Sequence, residues 1–169
     1  ILSIKHKTPL STIYIGGGTP SILDPQQIKE LIDLFKENYG VDFGAEISME
    51  IDPASFNQND LYGFINAGIN RFSLGVQSFN NHILQKSGRR HSREDAKKSC
   101  LWLKKVYDSG FIKSWSLDLI QNLPLSGFKE WQDDLKKAIT FSPPHLSIYD
   151  LNIENGTVFK KLVNLGKLK

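Results

Sequence analysis

The chain has 169 residues, 40% hydrophobic and 23% charged, a composition typical of a globular protein with one domain over residues 1–169. Its net charge of +3 comes from scattered Lys and Arg residues and not from a basic block, which argues against nucleic acid as a partner. No apolar run is long enough to span a bilayer, and residues 1–10 lack the pattern of a signal peptide, so we expect a cytoplasmic protein without an integral membrane segment.

Short β-rich runs alternate with helical patterns from one end of the chain to the other. This alternation predicts a sheet of parallel strands that are connected by helices. The predicted strands are residues 12–16, 46–51, 71–76, 114–120 and 146–151.

Capping residues mark the starts of the helices between these strands. Asp24 precedes Pro25, which stands at the first position of a helix that ends near Gly40. Two further starts combine a capping side chain with an Asp three residues later. These are Asn57 with Asp60 and Ser92 with Asp95, and the remaining predicted helices cover residues 80–86 and about 128–138.

Repeated strand–helix units with right-handed crossovers form either an open doubly wound sheet or a complete or partial (β/α) barrel. Five strands are too few for a closed eight-stranded barrel. In the second strand Ile47, Met49 and Ile51 share one face, whereas Ser48 and Glu50 share the other. A parallel strand with helices on both faces should be apolar on both. We therefore expect a parallel curved sheet with outer helices and a polar inner face that lines a cavity.

The most polar residue of three strands is predicted to come last on this polar face. These residues are Glu50, Gln77 and Asp118. Because α/β folds bind ligands at the carboxyl ends of their strands, the pattern predicts two carboxylates and an amide at the mouth of the cavity.

A glycine-rich motif, Gly-Gly-Gly-Thr-Pro-Ser at residues 16–21, follows the first strand. Glycine lets main-chain groups approach a ligand closely, as a phosphate or a zwitterion requires. The segment does not match the dinucleotide-binding fingerprint Gly-x-Gly-x-x-Gly, because Ser21 stands at the position of the third glycine and Pro20 interrupts the helix start. The Gly-Lys-Ser/Thr of a phosphate-binding Walker loop is also absent. A simple glycine turn is the structural alternative.

Several ordered segments together resemble the radical S-adenosylmethionine (SAM) family of oxygen-independent coproporphyrinogen III oxidase. The segments are residues 16–21, 48–53, 68–79, 88–91, 117–124 and 146–149. The resemblance covers nearly the whole chain from Thr12 onward and implies a partial (β/α) barrel of the radical SAM type. In this family a [4Fe-4S] cluster cleaves SAM to a 5′-deoxyadenosyl radical, which abstracts hydrogen.

The resemblance also implies a set of SAM-binding residues. Gly17, Gly18 and Thr19 would hold the methionyl end of SAM, and Gln77 and Asp118 would contact its adenosyl part. The other implied contacts are Glu50 at the mouth, Arg89 from the following helix and Asn152 on the far side.

These residues also have structural interpretations that carry no ligand role. Arg89 would then be a surface or helix-end charge, and Glu50 and Asp118 would pair with Arg71 or Arg89. His91 is interpreted as a cap or packing residue and Cys100 as a buried helix residue.

The sequence departs from the family pattern at the expected cluster ligands. The Cys-x-x-x-Cys-x-x-Cys loop belongs upstream of the glycine-rich strand, but Cys100 is the only cysteine, and the four histidines are not spaced for a zinc site. The chain also begins with Ile1 and stops after Lys169. We therefore expect an internal fragment of a radical SAM core domain, incomplete at both ends. Asn122 also stands where the family has a glycine.

Two branches of the family remain open as functions. Residues 77–79 and 88–91 resemble the haem-chaperone (HemW-type) branch, which would add haem or another porphyrin as ligand and an apo-haem-protein as acceptor. The alternative branch is the true coproporphyrinogen III dehydrogenase, which decarboxylates two propionates oxidatively. An unrelated α/β nucleotide-binding module is a third interpretation.

Overall fold

The computed structural model describes residues 8–166, in which strands and helices alternate. The strands are β1 (Leu10–Ile15), β2 (Val41–Ile51), β3 (Arg71–Gln77), β4 (Ser114–Gln121) and β5 (His145–Asp150). The helices are α1 (Pro25–Tyr39), α2 (Gln58–Ala67), α3 (Asn81–Lys86), α4 (Arg93–Asp108), α5 (Phe128–Ile139) and α6 (Val158–Asn164), with a short 3-10 turn at Pro20–Ile22. All five predicted strands and all predicted helices are confirmed.

The strands form one parallel sheet in the order β1-β2-β3-β4-β5. A doubly wound sheet reverses its strand order, so this order excludes that alternative. Right-handed crossovers between consecutive neighbours place the connecting helices on the same face of a curled sheet. The predicted curved sheet with outer helices, a partial (β/α) barrel, is confirmed.

The core lies between the outer face of the sheet and the helices. Met49, Phe72 and Leu74 point outward from neighbouring strands and are fully buried, as are Ile28 of α1 and Leu61 of α2. Burial of each such side chain contributes about 1.5–3 kcal/mol. Apolar and polar residues therefore alternate in β2, β3 and β4 because helices cover one face of the sheet, as predicted.

Two elements differ from the prediction. Strand β2 begins at Val41 and not at Glu46, because Val41 pairs with Leu10 and so extends the ladder through a segment that holds the weak strand former Gly44. Helix α6 was not predicted, since its seven residues are too few for a periodic signal. No helix in residues 8–166 combines the length and the apolarity that crossing a membrane requires.

The prediction for β5 is wrong in one respect. The alternation of apolar and polar residues in the sequence also applies to the fifth strand, where it predicts Leu146 and Ile148 on the covered face, but Ile148 is 51% exposed. Among the described strands β5 pairs with β4 alone, and none of the residues of α6 is buried. Ile148 therefore has less cover than its counterparts in β2, β3 and β4.

Cys100 lies in α4 and is fully buried, as its sequence context predicted. Burial raises the pKa of its thiol to about 12. Both the inaccessibility and the lack of thiolate make this cysteine unreactive in the folded protein.

We expect iodoacetamide to leave Cys100 unmodified in the folded chain and to label it rapidly in denaturant. Mass spectrometry of the intact protein along a urea titration measures both. The midpoint of labelling should coincide with the unfolding midpoint from circular dichroism. Rapid labelling without denaturant would contradict the buried position.

Candidate functional site

A cavity of about 310 Å³ opens at the carboxyl ends of the strands, on the inner face of the sheet. Its walls come from the loop after β1 and from β2, β3, β4 and β5. Of the residues predicted from the sequence, it is lined by Gly18, Thr19, Glu50, Gln77, Arg89 and Asp118. Residues distant in sequence therefore meet at one mouth.

The glycine loop after β1 leaves open space at this mouth. Gly17 and Gly18 have φ angles of 85° and 56°, which side chains rarely adopt, and a Cβ added to either would meet no atom within 4 Å. Gly16 is constrained differently, because its Cβ would lie 2.6 Å from Cε1 of Tyr14 and 3.0 Å from Oε1 of Glu50. The loop thus needs glycine for its conformation at two positions and for its packing at the third.

The carboxylate of Glu50 connects this loop to the sheet. Its Oε1 accepts a hydrogen bond of 2.6 Å from the hydroxyl of Tyr14, and its Oε2 accepts one of 3.0 Å from the main-chain N–H of Gly17. Gly17 therefore contributes to the site through Glu50 and does not itself line the cavity. The alternative pairing of Glu50 with Arg71 is wrong, because the nearest carboxylate to Arg71 is that of Glu46, at 3.8 Å.

Tyr14 is a site residue that the sequence did not identify. Its place in the alternation of β1 was the one available signal, since it shares the inner face with Thr12 and Gly16. Partial desolvation of the hydroxyl and the hydrogen bond to Glu50, with the charges of Glu50 and Asp118, raise the pKa of Tyr14 to about 12. The hydroxyl therefore remains a donor to Glu50 at neutral pH.

Asp118 is held on the inner face by hydroxyl groups. Ser73 and Ser116 each donate a hydrogen bond of 2.6 Å to its carboxylate, and Ser147 lies 2.8 Å from the hydroxyl of Ser116. Asp118 is 9% exposed, and none of the described Lys, Arg or His side chains forms an ion pair with it. Its proposed pairing with an arginine is therefore wrong, and its charge is left for a ligand.

Asp118 is the last polar residue on the inner face of β4, which continues through Ile120 to Gln121. It pairs in register with Ser147, whereas Ser116, two residues earlier, pairs with Ser73, the partner of Glu50. Along the ladder Asp118 therefore lies two residues closer to the carboxyl end of the sheet than Glu50.

Gln77 ends β3 in an unusual conformation. Its φ angle is 64°, it is 8% exposed, and its Oε1 is buried without a hydrogen-bond partner among the described residues. A buried polar atom without a partner costs about 1–3 kcal/mol. Both the strain and the unpaired oxygen indicate a position maintained for a ligand.

Arg89 lies at the rim of the cavity beside Asp52. Its Nη1 is 3.9 Å from Oδ2 of Asp52, and Nδ1 of the buried His91 is 3.6 Å from the same oxygen. Burial alone would raise the pKa of Asp52, but the neighbouring His91 side chain, the hydrogen bond from the N–H of Ala54 and the charge of Arg89 hold it below its usual value. His91 is a packing residue, as one interpretation predicted.

Asn152 does not join the cavity. It follows the end of β5 and is exposed, and the far wall is formed instead by Tyr149. The sequence alone could not show which of Tyr149 and Asn152 forms the far wall, because both lie near the carboxyl end of β5.

The charges of the cavity favour a cationic ligand with several hydrogen-bond donors. Glu50, Asp52 and Asp118 line it, with Arg89 as the one cationic lining residue of the described chain. Carboxylates removed from water are stabilised by such a ligand, because it supplies the missing charge and donors.

The fold and the site define a parallel α/β protein with a ligand cavity at its strand ends, and the chain belongs to the radical SAM superfamily, whose family model matches residues 1–120. Its similarity to heme chaperone HemW is marked. HemW of Synechocystis sp. is 42% identical over 160 residues, which cover 95% of this chain and 38% of the relative. HemW of Escherichia coli is 38% identical over 150 residues, which cover 89% and 39%.

A solved structure, coproporphyrinogen III oxidase (HemN) from Escherichia coli, a radical SAM enzyme, has a TM-score of 0.78 at 30% identity. The match covers 95% of this chain and 35% of that chain. The chain spans about two fifths of the length of the curated relatives it matches.

The superfamily uses SAM together with a [4Fe-4S] cluster. The cavity fits SAM, since it offers the carboxylates of Glu50 and Asp118, which form no ion pair with a described residue, an unpaired amide oxygen and open space at the glycine loop. The residues do not fit the cluster. The single cysteine is buried in α4, and residues 8–166 contain no group of three or more side chains that could hold a metal ion.

We expect Tyr14 to titrate at about 12, above its ordinary value of 10.0. Because the folded pKa is the higher one, the stabilisation from this pairing is present below pH 10 and is lost as the pH rises through the folded value. The difference between the alkaline absorbance titrations of the unmodified chain and of Tyr14→Phe isolates the ionisation of Tyr14. Tyr62→Phe is the control. Glu50→Gln should move the step toward lower pH, and an unchanged titration in Glu50→Gln would contradict the hydrogen bond.

We expect Gln77→Gly to stabilise the folded chain by up to about 1 kcal/mol, because glycine relieves the positive φ and removes the unpaired amide. Gln121→Gly is the matched control, since Gln121 ends the neighbouring strand without a positive φ. The control should lose about 0.5–1 kcal/mol. Urea unfolding measures both free energies, and an equal loss in the two variants would show that Gln77 is not strained.

Proposed function

We propose that the cavity is a SAM-binding site. The observation that carries this proposal is the carboxylate of Asp118, which is almost completely buried at the strand ends and has hydroxyl donors but no described cation beside it. SAM brings a sulfonium, an ammonium and ribose hydroxyls, which supply the missing positive charge and the missing donors.

The glycine loop would hold the methionyl end of SAM, as Gly18 and Thr19 line the cavity and Gly17 is fixed by Glu50. Gln77 and Asp118 would contact the adenosyl part, and Arg89 would contact SAM from the rim. Bound SAM is the precursor of a 5′-deoxyadenosyl radical in this superfamily. The residues of this chain would bind and orient SAM, and the cluster ligands would come from outside it.

For the full-length protein we propose haem binding and haem delivery to an apo-haem-protein. This proposal is supported by the names of three relatives, of Synechocystis sp., Haemophilus influenzae and Escherichia coli, which match over 89–95% of this chain and are called heme chaperone HemW. The second candidate is oxidative decarboxylation of coproporphyrinogen III, which the similarity to the HemN structure favours. Both candidate functions act on a tetrapyrrole.

We expect S-adenosylhomocysteine, which needs no cluster to be tested as a ligand, to bind the full-length protein with an affinity that Asp118→Asn lowers roughly 10- to 100-fold. Glu50→Gln should weaken binding through the glycine loop. Isothermal titration calorimetry measures the affinities. Glu46→Gln is the matched control, because Glu46 lies on the same strand but outside the cavity lining. Equal affinity in Asp118→Asn and Glu46→Gln would overturn the SAM site.

The two candidate functions make different predictions for one reconstituted full-length preparation. We expect an absorbance titration to show haem binding, and product analysis with SAM, cluster and reductant to show no conversion of coproporphyrinogen III. Decarboxylation at enzymatic rates would replace the chaperone function with the oxidase function. Absence of both activities would contradict both porphyrin functions, while the SAM site is tested separately.

A further inference from the structure

The chain makes a tight turn where β3 ends, at residues 76–79, here called the Gln77 turn. The N–H of Ser78 donates a hydrogen bond of 2.8 Å to the carbonyl of Val76, and Gln77 between them has a φ angle of 64°. This is the γ-turn with positive φ, which is rare and strained. The β3–β4 register shifts between Leu74 and Gln77, so the turn coincides with an irregularity at the end of the ladder.

His91 holds the Gln77 turn from one side. Its side chain is completely buried, and its Nε2 lies 3.0 Å from the carbonyl of Val76, to which it donates. This carbonyl therefore accepts two hydrogen bonds, one from Ser78 and one from His91. The Nδ1 atom of His91 lies 3.6 Å from Asp52. The residue that follows His91 is Ser92, the N-cap of α4. The imidazole thus connects the turn to the end of β2 and to the start of α4.

Asp134 of α5 holds the same turn from the other side. This buried carboxylate accepts a hydrogen bond of 2.6 Å from the hydroxyl of Ser78 and one of 2.7 Å from the N–H of Phe79. No described cation forms an ion pair with it. Burial raises the pKa of Asp134, so its placement is unfavourable for the charged form, and the two hydrogen bonds to the turn oppose this cost.

A strained turn persists only where its surroundings determine it. His91 lies in the loop before α4 and Asp134 lies in α5, and neither lines the cavity that Gln77 lines. Their shared contact is the backbone of the Gln77 turn. Without them the turn could relax, and the amide of Gln77 would leave the cavity wall.

We propose that His91 and Asp134 are positioning residues that fix Gln77 in its strained turn, so that its amide is in place for the adenosyl part of SAM. This inference rests on the SAM site proposed above. His91 and Asp134 act on the ligand through Gln77 and do not touch it.

A double-mutant cycle on S-adenosylhomocysteine affinity tests this dependence in the full-length protein. We expect His91→Leu and Gln77→Ala each to weaken binding roughly tenfold, and the double variant to bind no more weakly than Gln77→Ala alone. His91→Gln keeps a side-chain N–H donor and should recover most of the affinity. His82→Leu, which removes an exposed histidine of α3, is the control. Multiplied losses in the double variant would overturn the proposal.

Asp134→Asn provides a second test of the proposal. The control is Asp133→Asn, since Asp133 is the exposed neighbour of Asp134. Hydrogen exchange of the Ser78 and Phe79 amides should accelerate at least tenfold in Asp134→Asn and in His91→Leu but not in the controls. This measurement does not need SAM binding. If the unmodified protein fails to bind S-adenosylhomocysteine, the SAM site fails, while unchanged exchange in both variants would overturn the positioning role itself.

Discussion

The parallel, in-order pairing of five strands determines where every polar group of the inner face can lie. Because each strand enters the sheet at the same edge and leaves at the other, the loop after β1 and the ends of β2 and β3 meet at one mouth. The outer face is apolar and covered by helices, whereas the inner face carries serine, glutamate and aspartate. The cavity is therefore a consequence of strand order and alternation together.

The charged groups of this mouth are stabilised by neutral donors more than by ion pairs. Glu50 accepts from a phenol and a main-chain N–H, and Asp118 accepts from two serine hydroxyls. Hydrogen bonds of this kind hold a carboxylate in position without cancelling its charge. Such an arrangement suits a ligand that carries its own positive charge, and SAM in the radical SAM superfamily is such a ligand.

Much of this architecture was predictable, because it depends on local patterns. The caps Asp24, Asn57 and Ser92 marked helix starts correctly, and period-two alternation separated the buried from the cavity-facing residues in β2, β3 and β4. Contacts between distant residues were not predictable. The hydrogen bond from Tyr14 to Glu50 spans 36 positions and the one from Ser78 to Asp134 spans 56.

We propose that the glycine loop and the Gln77 turn form two walls of one SAM site. Hydrogen–deuterium exchange of the full-length protein, with and without saturating S-adenosylhomocysteine, tests it most directly. The ligand should slow exchange in residues 16–19 and in residues 76–79 together, and should leave the exposed α6 unchanged. Binding that protects other segments and leaves both of these walls unaffected would contradict the account.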